Sequence, residues 1–196
     1  MSERAGLFVI IAIGESVLVT GTAFADHPID LPNTLAFFAS ITGSILLWLL
    51  YFSRAESGGS RFIRRHSNPS LVAANSYTYL HVVLVAGIVV IAVADELVLA
   101  HPIDAPRQLT LALVYGAPAL YLIGNLVFKK SIGAPWLKSH LAGVGLLVIF
   151  GAVVLLSGIQ LPALVHSWIA NVVLIAVVIG EEIDFRRERS RLRSLR

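Results

Sequence analysis

Residues 6–25 read GLFVIIAIGESVLVTGTAFA, an apolar run of 20 residues with a single charged side chain, Glu15. A helix of about 20 residues, rising roughly 1.5 Å per residue, crosses the ~30 Å hydrocarbon core of a bilayer. The run is apolar on every face, whereas a membrane barrel strand would alternate over about ten residues. It therefore predicts a membrane-spanning α-helix.

Five further apolar runs follow, separated by short breaks that carry glycine and proline turn formers. They extend from Thr34 to Ser53, Leu71 to Ala94, Arg107 to Phe128, Leu137 to Ser157, and Pro162 to Gly180. Charged residues make up only 14% of the chain, against about 25% in soluble domains. We predict an all-α, polytopic integral membrane protein with six transmembrane helices, comprising a six-helix domain over 1–180 and a basic cytoplasmic tail over 181–196.

The basic residues predict the orientation of these helices. With the N-terminus inside, 14 of the 15 lysines and arginines fall on the inner side, and only Arg107 lies outside. Five acids are assigned to the outer loops: Asp26, Asp30, Asp95, Glu96 and Asp104. Because positive charge is retained in cytoplasmic loops, both termini are predicted to lie in the cytoplasm.

The tail from Glu181 to Arg196 holds six arginines. Each arginine near an anionic leaflet contributes about 1 kcal/mol, so we expect the tail to bind anionic lipid at the inner surface. Nucleic acid is not an expected partner, because topology already explains these charges. Glu181 and Glu182, at the exit of the last helix, are expected to pair with the tail arginines.

The first run admits a second interpretation, since Ala23-Phe24-Ala25 resembles a signal-peptidase site. The run is longer than a typical signal-peptide core, and Glu15 lies at its centre. Both features favour a retained transmembrane helix.

A six-residue motif occurs twice. The stretch from His27 to Pro32, HPIDLP, returns as HPIDAP from His101 to Pro106, each time in an outer loop. Duplication would give parallel helical-hairpin repeats related by an axis along the membrane normal. The alternative is that the two copies arose independently as favourable turn sequences, because proline fixes φ and aspartate caps the following helix.

Polar residues at mid-membrane depth are the candidates for function. Glu15 lies at the centre of the first run, His81 in the third and Asn171 in the sixth. Ionisable groups at this depth are costly and mark ion or proton pathways. If the three share one bundle interior, they form a proton or ion pathway. The alternative is that Glu15 and His81 hydrogen-bond between helices and only lock them together.

Further residues support such a pathway. Ser16 follows Glu15, and Tyr77 lies one helical turn before His81. Pro118, at the centre of the fourth run, removes one backbone donor, so we expect a kink or break there. The alternative for Pro118 is a purely packing role, which is common in membrane helices.

Known catalytic and metal-binding patterns are missing from the sequence. The chain has no cysteine, which excludes disulfides, thiolate zinc sites and cysteine catalysis. It has no phosphate-binding glycine loop, no zinc-protease motif and no serine-hydrolase motif. We therefore expect a protein that is not an enzyme, with no catalytic residue, no cofactor and no metal site.

Two stretches resemble a known family. The opening from Glu3 to Ser16, ERAGLFVIIAIGES, is similar to a signature of the bacterial low temperature requirement A family. A later block is similar to the second motif block of that family. It comprises Tyr79-Leu80-His81, Gly87-Ile88 and Leu99-Ala100-His101-Pro102. On this resemblance the motif positions are Glu3, Arg4, Gly14, Glu15, His81 and His101.

The resemblance covers essentially the whole chain but only the C-terminal half of a typical member. Such members begin with another set of helices that carry a Glu-Leu-Phe-Phe-Asp-Leu-Val-Phe-like motif, which has no match here. The resemblance implies a multi-pass protein of the bacterial cytoplasmic (inner) membrane. The family is named for growth in the cold, which implies no reaction, and the missing half implies a fragment or a protein that assembles with a partner.

Two functions follow from the sequence. The first is a proton- or small-ion-linked transporter or channel, with Glu15 as the titrating carboxylate and His81 as its partner. The second is a non-transporting membrane scaffold or assembly partner, in which the buried polar residues lock helices together. The partners expected are the lipid bilayer and either a parallel homodimer or the missing N-terminal half.

Overall fold

The structure is a computed structural model that describes the backbone of residues 2–63, 79–132 and 137–194, and the side chains of residues 4–52, 79–132 and 137–186. Within these ranges the regular secondary structure is helical. The helices are α1 (Ser2–Ala25), α2 (Leu31–Ile63), α3 (Leu80–Ala100), α4 (Gln108–Ser131), α5 (Lys138–Ser157) and α6 (Ala163–Ser194).

All six described helices are long and apolar enough to cross a membrane, which confirms the predicted six-span, all-α class. The end of the bundle that holds Arg4, Leu80 and Lys138 is called the inner end, after the predicted orientation. The opposite end, with Ala25, Ala100 and Ser157, is the outer end.

The prediction for the third helix was wrong at its outer end. The sequence places Asp95 and Glu96 in a loop after Ala94, whereas α3 continues to Ala100. The helix continues because Leu97, Val98 and Leu99 extend the apolar run past the two acids, so that the chain turns only at His101-Pro102. The predicted start at Leu71 lies outside the described residues.

The six helices form a closed ring in which each packs on its neighbours in the order α1, α2, α6, α5, α4, α3. Helix α4 is the most buried helix, and α1 is the least buried. Helices α3 and α4 approach closely at Gly87, where an added Cβ would stand 3.2 Å from the Cα of Tyr121. Small residues allow this approach between membrane helices.

Two positions singled out in the sequence, Pro118 and the division between residues 180 and 181, lie inside helices. Helix α4 runs from Gln108 to Ser131 without a break at Pro118. Helix α6 continues through residue 181, so the boundary between the domain over 1–180 and the tail over 181–196 falls within one helix. Glu181 is 2% exposed and belongs to the bundle.

The two copies of the repeated motif have different contacts. In the first, the Asp30 carboxylate accepts a hydrogen bond from the Asn33 N–H at 2.9 Å and caps α2, as predicted for aspartate. In the second, Asp104 lies 3.2 Å from His101 Nδ1. The carbonyls of Pro102 and Asp104 accept instead from the N–H groups of Leu164 and Ala163 and tie down the start of α6.

Candidate functional site

A small cavity lies in the outer half of the bundle, among α2, α3, α4 and α6. Its volume is about 30 Å³, and its polar lining comprises Asp95, Ser167 and Asn171. Asp95 is five residues before the end of α3, so its Cα lies about 7.5 Å below that end. The cavity is therefore inside the membrane-spanning part of the protein.

The Asp95 carboxyl group is buried and incompletely paired. It is 8% exposed, and the Ser40 hydroxyl lies beside it. The other oxygen, Oδ2, has no hydrogen-bond partner among the described residues. A buried polar atom without a protein partner costs free energy, so this oxygen is able to accept a hydrogen bond or to bind a cation.

Asn171 and Pro118 line the same cavity. The Asn171 amide donates to the carbonyl of Ala39 at 2.8 Å, which fixes the side chain and leaves Oδ1 beside Gly43. A Cβ at position 43 would stand 3.2 Å from that oxygen, so glycine leaves space for it. Pro118 has no N–H to donate to the carbonyl of Val114, which also lines the cavity.

A row of buried groups continues inward from Pro118 along one face of α4. Tyr121, Asn125 and Lys129 follow at spacings of three or four residues, which places them on one side of the helix. The Tyr121 hydroxyl donates to the carbonyl of Leu47 at 2.7 Å, and Lys129 Nζ donates to the carbonyl of Leu50 at 2.6 Å. This face of α4 therefore rests on α2.

The row ends in a buried charged cluster at the inner end. Lys129 Nζ lies 2.7 and 2.9 Å from the two carboxylate oxygens of Glu181, and Lys129 is fully buried. His140, also fully buried, lies 3.1 Å from Asn125 Oδ1 and 4.0 Å from Glu181 through Nε2. The Lys129–Glu181 ion pair joins α4 to α6, and His140 connects α5 to both helices.

Beside this cluster, a groove of about 330 Å³ opens between α2 and α6. Glu181 and Glu182 contribute its acids, and Trp48, Phe52 and Phe185 its aromatic rings. Glu182 pairs with Arg186 at 2.7 Å, as predicted. Glu181 turns inward to Lys129. Its predicted pairing with the tail arginines after Arg186 falls on side chains outside the described residues.

The structure does not bring Glu15, His81 and Asn171 together. Glu15 is at mid-depth on α1, but its side chain is exposed on the outside of the bundle and has no hydrogen-bond partner among the described residues. The buried face of α1 carries instead Ala5, Val9, Ile13, Ser16 and Thr20. The sequence predicted the mid-membrane depth of Glu15 but not the side of α1 on which it lies. The mid-membrane depth predicted for His81 was wrong, because His81 is the second residue of α3.

His81 is buried near the inner end of α3 in an aromatic cluster. Its Nε2 lies 2.7 Å from the Tyr51 hydroxyl, and its ring meets the Phe128 ring edge to face at 4.7 Å. These contacts fit the predicted interhelical hydrogen bond. Tyr77, predicted on the same face, lies outside the described residues.

The profile of the bacterial low temperature requirement A protein family (LtrA) matches residues 1–179. The chain belongs to this family. It is also 28% identical over 191 residues to an uncharacterized protein of Rhizobium meliloti (strain 1021), a match that covers 96% of this chain and 45% of that protein. The chain thus spans less than half the length of this curated relative. No solved structure matches the chain significantly.

The motif positions of the low temperature requirement A family lie apart in the structure. Arg4 and Gly14 are on the exposed side of α1, and nothing lies within 4 Å of a Cβ added at Gly14. His101 is in the outer loop after α3, and the side chain of Glu3 is outside the described residues. Ser16 is buried against the bundle, where its carbonyl accepts from the Thr20 hydroxyl at 2.9 Å.

Several residues of the site were missed from the sequence, among them Asp95, Tyr121, Lys129, His140 and Glu181. A signal for part of the set was present, since Tyr121 and Asn125 lie four residues apart in the fourth apolar run and Lys129 follows four residues later, directly after its end. This spacing predicts one polar face on a spanning helix. Asp95 and Lys129 were assigned to loops because each lies near the end of its run.

Proposed function

We propose that this member of the low temperature requirement A family is a proton- or small-cation-linked transporter or channel of the bacterial inner membrane. Asp95 is its intramembrane carboxylate. The observation that carries the proposal is the buried Asp95 oxygen that has no partner among the described residues and lies at a cavity inside the spanning region. Ionisable residues in such positions belong to ion and proton pathways.

The arrangement of the other polar groups supports the same function. Asn171 shares the cavity with Asp95, and the α4 row leads from Pro118 toward Glu181, which borders the inner groove. Carboxyl groups therefore lie near both ends of the bundle, connected by side chains that hydrogen-bond to backbone carbonyls.

Replacing Asp95 by asparagine tests the proposal. The change keeps the shape of the side chain but removes the charge, so a cation or proton loses its counter-charge inside the membrane. We expect the purified protein in proteoliposomes to carry H⁺ or Na⁺ down an imposed gradient. The Asp95→Asn variant should fall to the level of empty liposomes.

Glu96→Gln is the matched control, because Glu96 is the next residue on α3 and its side chain is exposed. We expect this variant to retain the wild-type flux. Size-exclusion profiles of all three proteins verify that they are folded. Equal flux in wild type and Asp95→Asn, or no flux in the wild type above empty liposomes, would contradict the proposal.

The exposed face of α1 favours a second function, that of an assembly partner. Glu15 and Leu18 point away from the bundle at mid-membrane depth, and an added Cβ at Gly14 or Gly21 meets nothing within 4 Å. A carboxylate facing lipid at this depth costs about 3 kcal/mol. We propose that a second copy of the chain, in the same orientation, covers this face.

Cysteine crosslinking tests this interface, and the natural chain has no cysteine to interfere. We expect Leu18→Cys to give a disulfide-linked dimer in membranes under oxidising conditions. Adding Glu15→Gln to this variant should lower the yield of that dimer. Val148→Cys is the control, because Val148 is similarly exposed, 58% against 66%, on a different helix, α5. Equal dimer yields from both cysteine variants would count against a specific α1 interface.

A further inference from the structure

We infer that the Asp95 cavity is a binding site for one dehydrated monovalent cation of the size of Na⁺. This inference rests on the proposed function and names the ion that the same site holds. It is carried by the one open carboxylate oxygen, by the neutral oxygen atoms around it and by the size of the cavity.

The charge of the site matches a monovalent cation. Asp95 is the one ionisable side chain among the residues that line the cavity. One carboxylate and one monovalent cation together are neutral, which is the arrangement that a low-dielectric interior tolerates best. A divalent ion would leave an excess positive charge, and Ca²⁺ takes about six to eight oxygen ligands, commonly from several carboxylates.

The surroundings of Asp95 supply further oxygens. Ser40 lies within hydrogen-bond reach of the Asp95 carboxyl and of the Ala36 carbonyl, at 3.2 Å from the latter. Because a hydroxyl has one proton, Ser40 can donate to Ala36 and turn its lone pairs toward a cation beside Asp95. Asn171 Oδ1 is a third candidate ligand, since the amide nitrogen is already engaged by Ala39.

Pro118 adds a fourth candidate oxygen. The carbonyl of Val114 lacks the usual donor four residues later, because proline has no N–H. Val114 and Pro118 both line the cavity. Carboxylate, hydroxyl, amide and carbonyl oxygens are the ligands of hard cations, and four such groups suit a small ion.

The size of the cavity requires the ion to be dehydrated. Its volume of about 30 Å³ holds only one or two water-sized particles. A cation that carries its own water shell is larger than this, so the protein oxygens must replace the shell. A single water molecule is the competing occupant. If water fills the cavity, the stability of the protein should not depend on which monovalent cation is dissolved.

Thermal unfolding of the purified full chain in detergent tests the site without requiring transport. NaCl is titrated against choline chloride at constant ionic strength and pH, with LiCl and KCl in parallel. A ligand that binds only the folded state raises the melting temperature. We expect a saturable rise with Na⁺ that K⁺ does not reproduce.

Variants test whether the Na⁺-dependent rise in melting temperature comes from the Asp95 cavity. Asp95→Asn should lose the Na⁺-dependent rise, Ser40→Ala should shift the half-saturating Na⁺ concentration upward severalfold, and Glu96→Gln should behave as the wild type. Absence of an ion-specific rise in the wild type would overturn the inference, even if Asp95→Asn fails to fold. Persistence of the rise in a folded Asp95→Asn protein would also overturn it.

The outcomes for the site and for transport are separable. Na⁺-dependent stabilisation without flux in proteoliposomes would leave the cation site in place and reject transport. Flux driven by a pH gradient with no Na⁺ effect on melting would reject the Na⁺ site and retain the proposed function.

Discussion

Replacing Lys129 by methionine should destabilise the protein by about 3–5 kcal/mol, the cost of removing one partner from a buried ion pair. The variant keeps the length of the side chain but leaves Glu181, 2% exposed, without the ammonium group 2.7 Å away. It also removes the donor to the Leu50 carbonyl. Unfolding in a detergent mixture of increasing SDS content measures the loss.

The neighbouring pair on α6 provides the control. Glu182 and Arg186 are also 2.7 Å apart, but their side chains are 53% and 78% exposed. An exposed pair contributes about 0–1 kcal/mol, so Glu182→Gln should change stability little. The double variant Lys129→Met with Glu181→Leu should recover most of the stability, because it removes both charges. A loss in Lys129→Met no larger than that in Glu182→Gln would show that the pair is not buried.

Replacing Phe128 by alanine should cost about 3 kcal/mol, near the low end of values for large-to-small changes in a core. The ring is fully buried, stacks on Tyr51 at 5.8 Å and meets the edge of His81 at 4.7 Å. Its removal leaves a cavity among α2, α3 and α4. We expect the low end because lipid is as apolar as the core, so lost packing dominates the cost.

Phe150→Ala is the matched control for this change, since Phe150 on α5 is 40% exposed. The same SDS titration should detect little effect, because surrounding detergent fills the space that the ring leaves. Similar losses in the two variants would refute the cluster around Phe128 as a packing centre. Adding Tyr51→Phe to the series isolates the hydrogen bond to His81.

The number of helices could be predicted because it depends on run length alone. Residues 6–25 need no partner to be recognised as a spanning helix, and the end of α1 at Ala25 agrees with that run. The end of α3 could not be predicted in the same way. Asp95 and Glu96 resemble loop residues in sequence, and the run was ended before them although Leu97, Val98 and Leu99 continue it.

The candidate site was predictable only in part, for a geometric reason. Sequence position gives depth along a helix, and depth alone singled out Asn171 and Pro118, which do line the cavity. Which side of a helix faces the bundle depends on its neighbours, so Glu15 was grouped with residues that it does not meet. The partner of Lys129 lies 52 residues away on α6, beyond any local pattern.

The Lys129–Glu181 pair also constrains the order in which the protein assembles in the membrane. Lys129 is synthesised with the fourth helix, but its carboxylate arrives only with the sixth, which packs on α2 and closes the ring. Until then the lysine can keep its charge in water by reaching toward the inner surface. Docking of the final helix is therefore the step that draws this charge into the bundle and completes the fold.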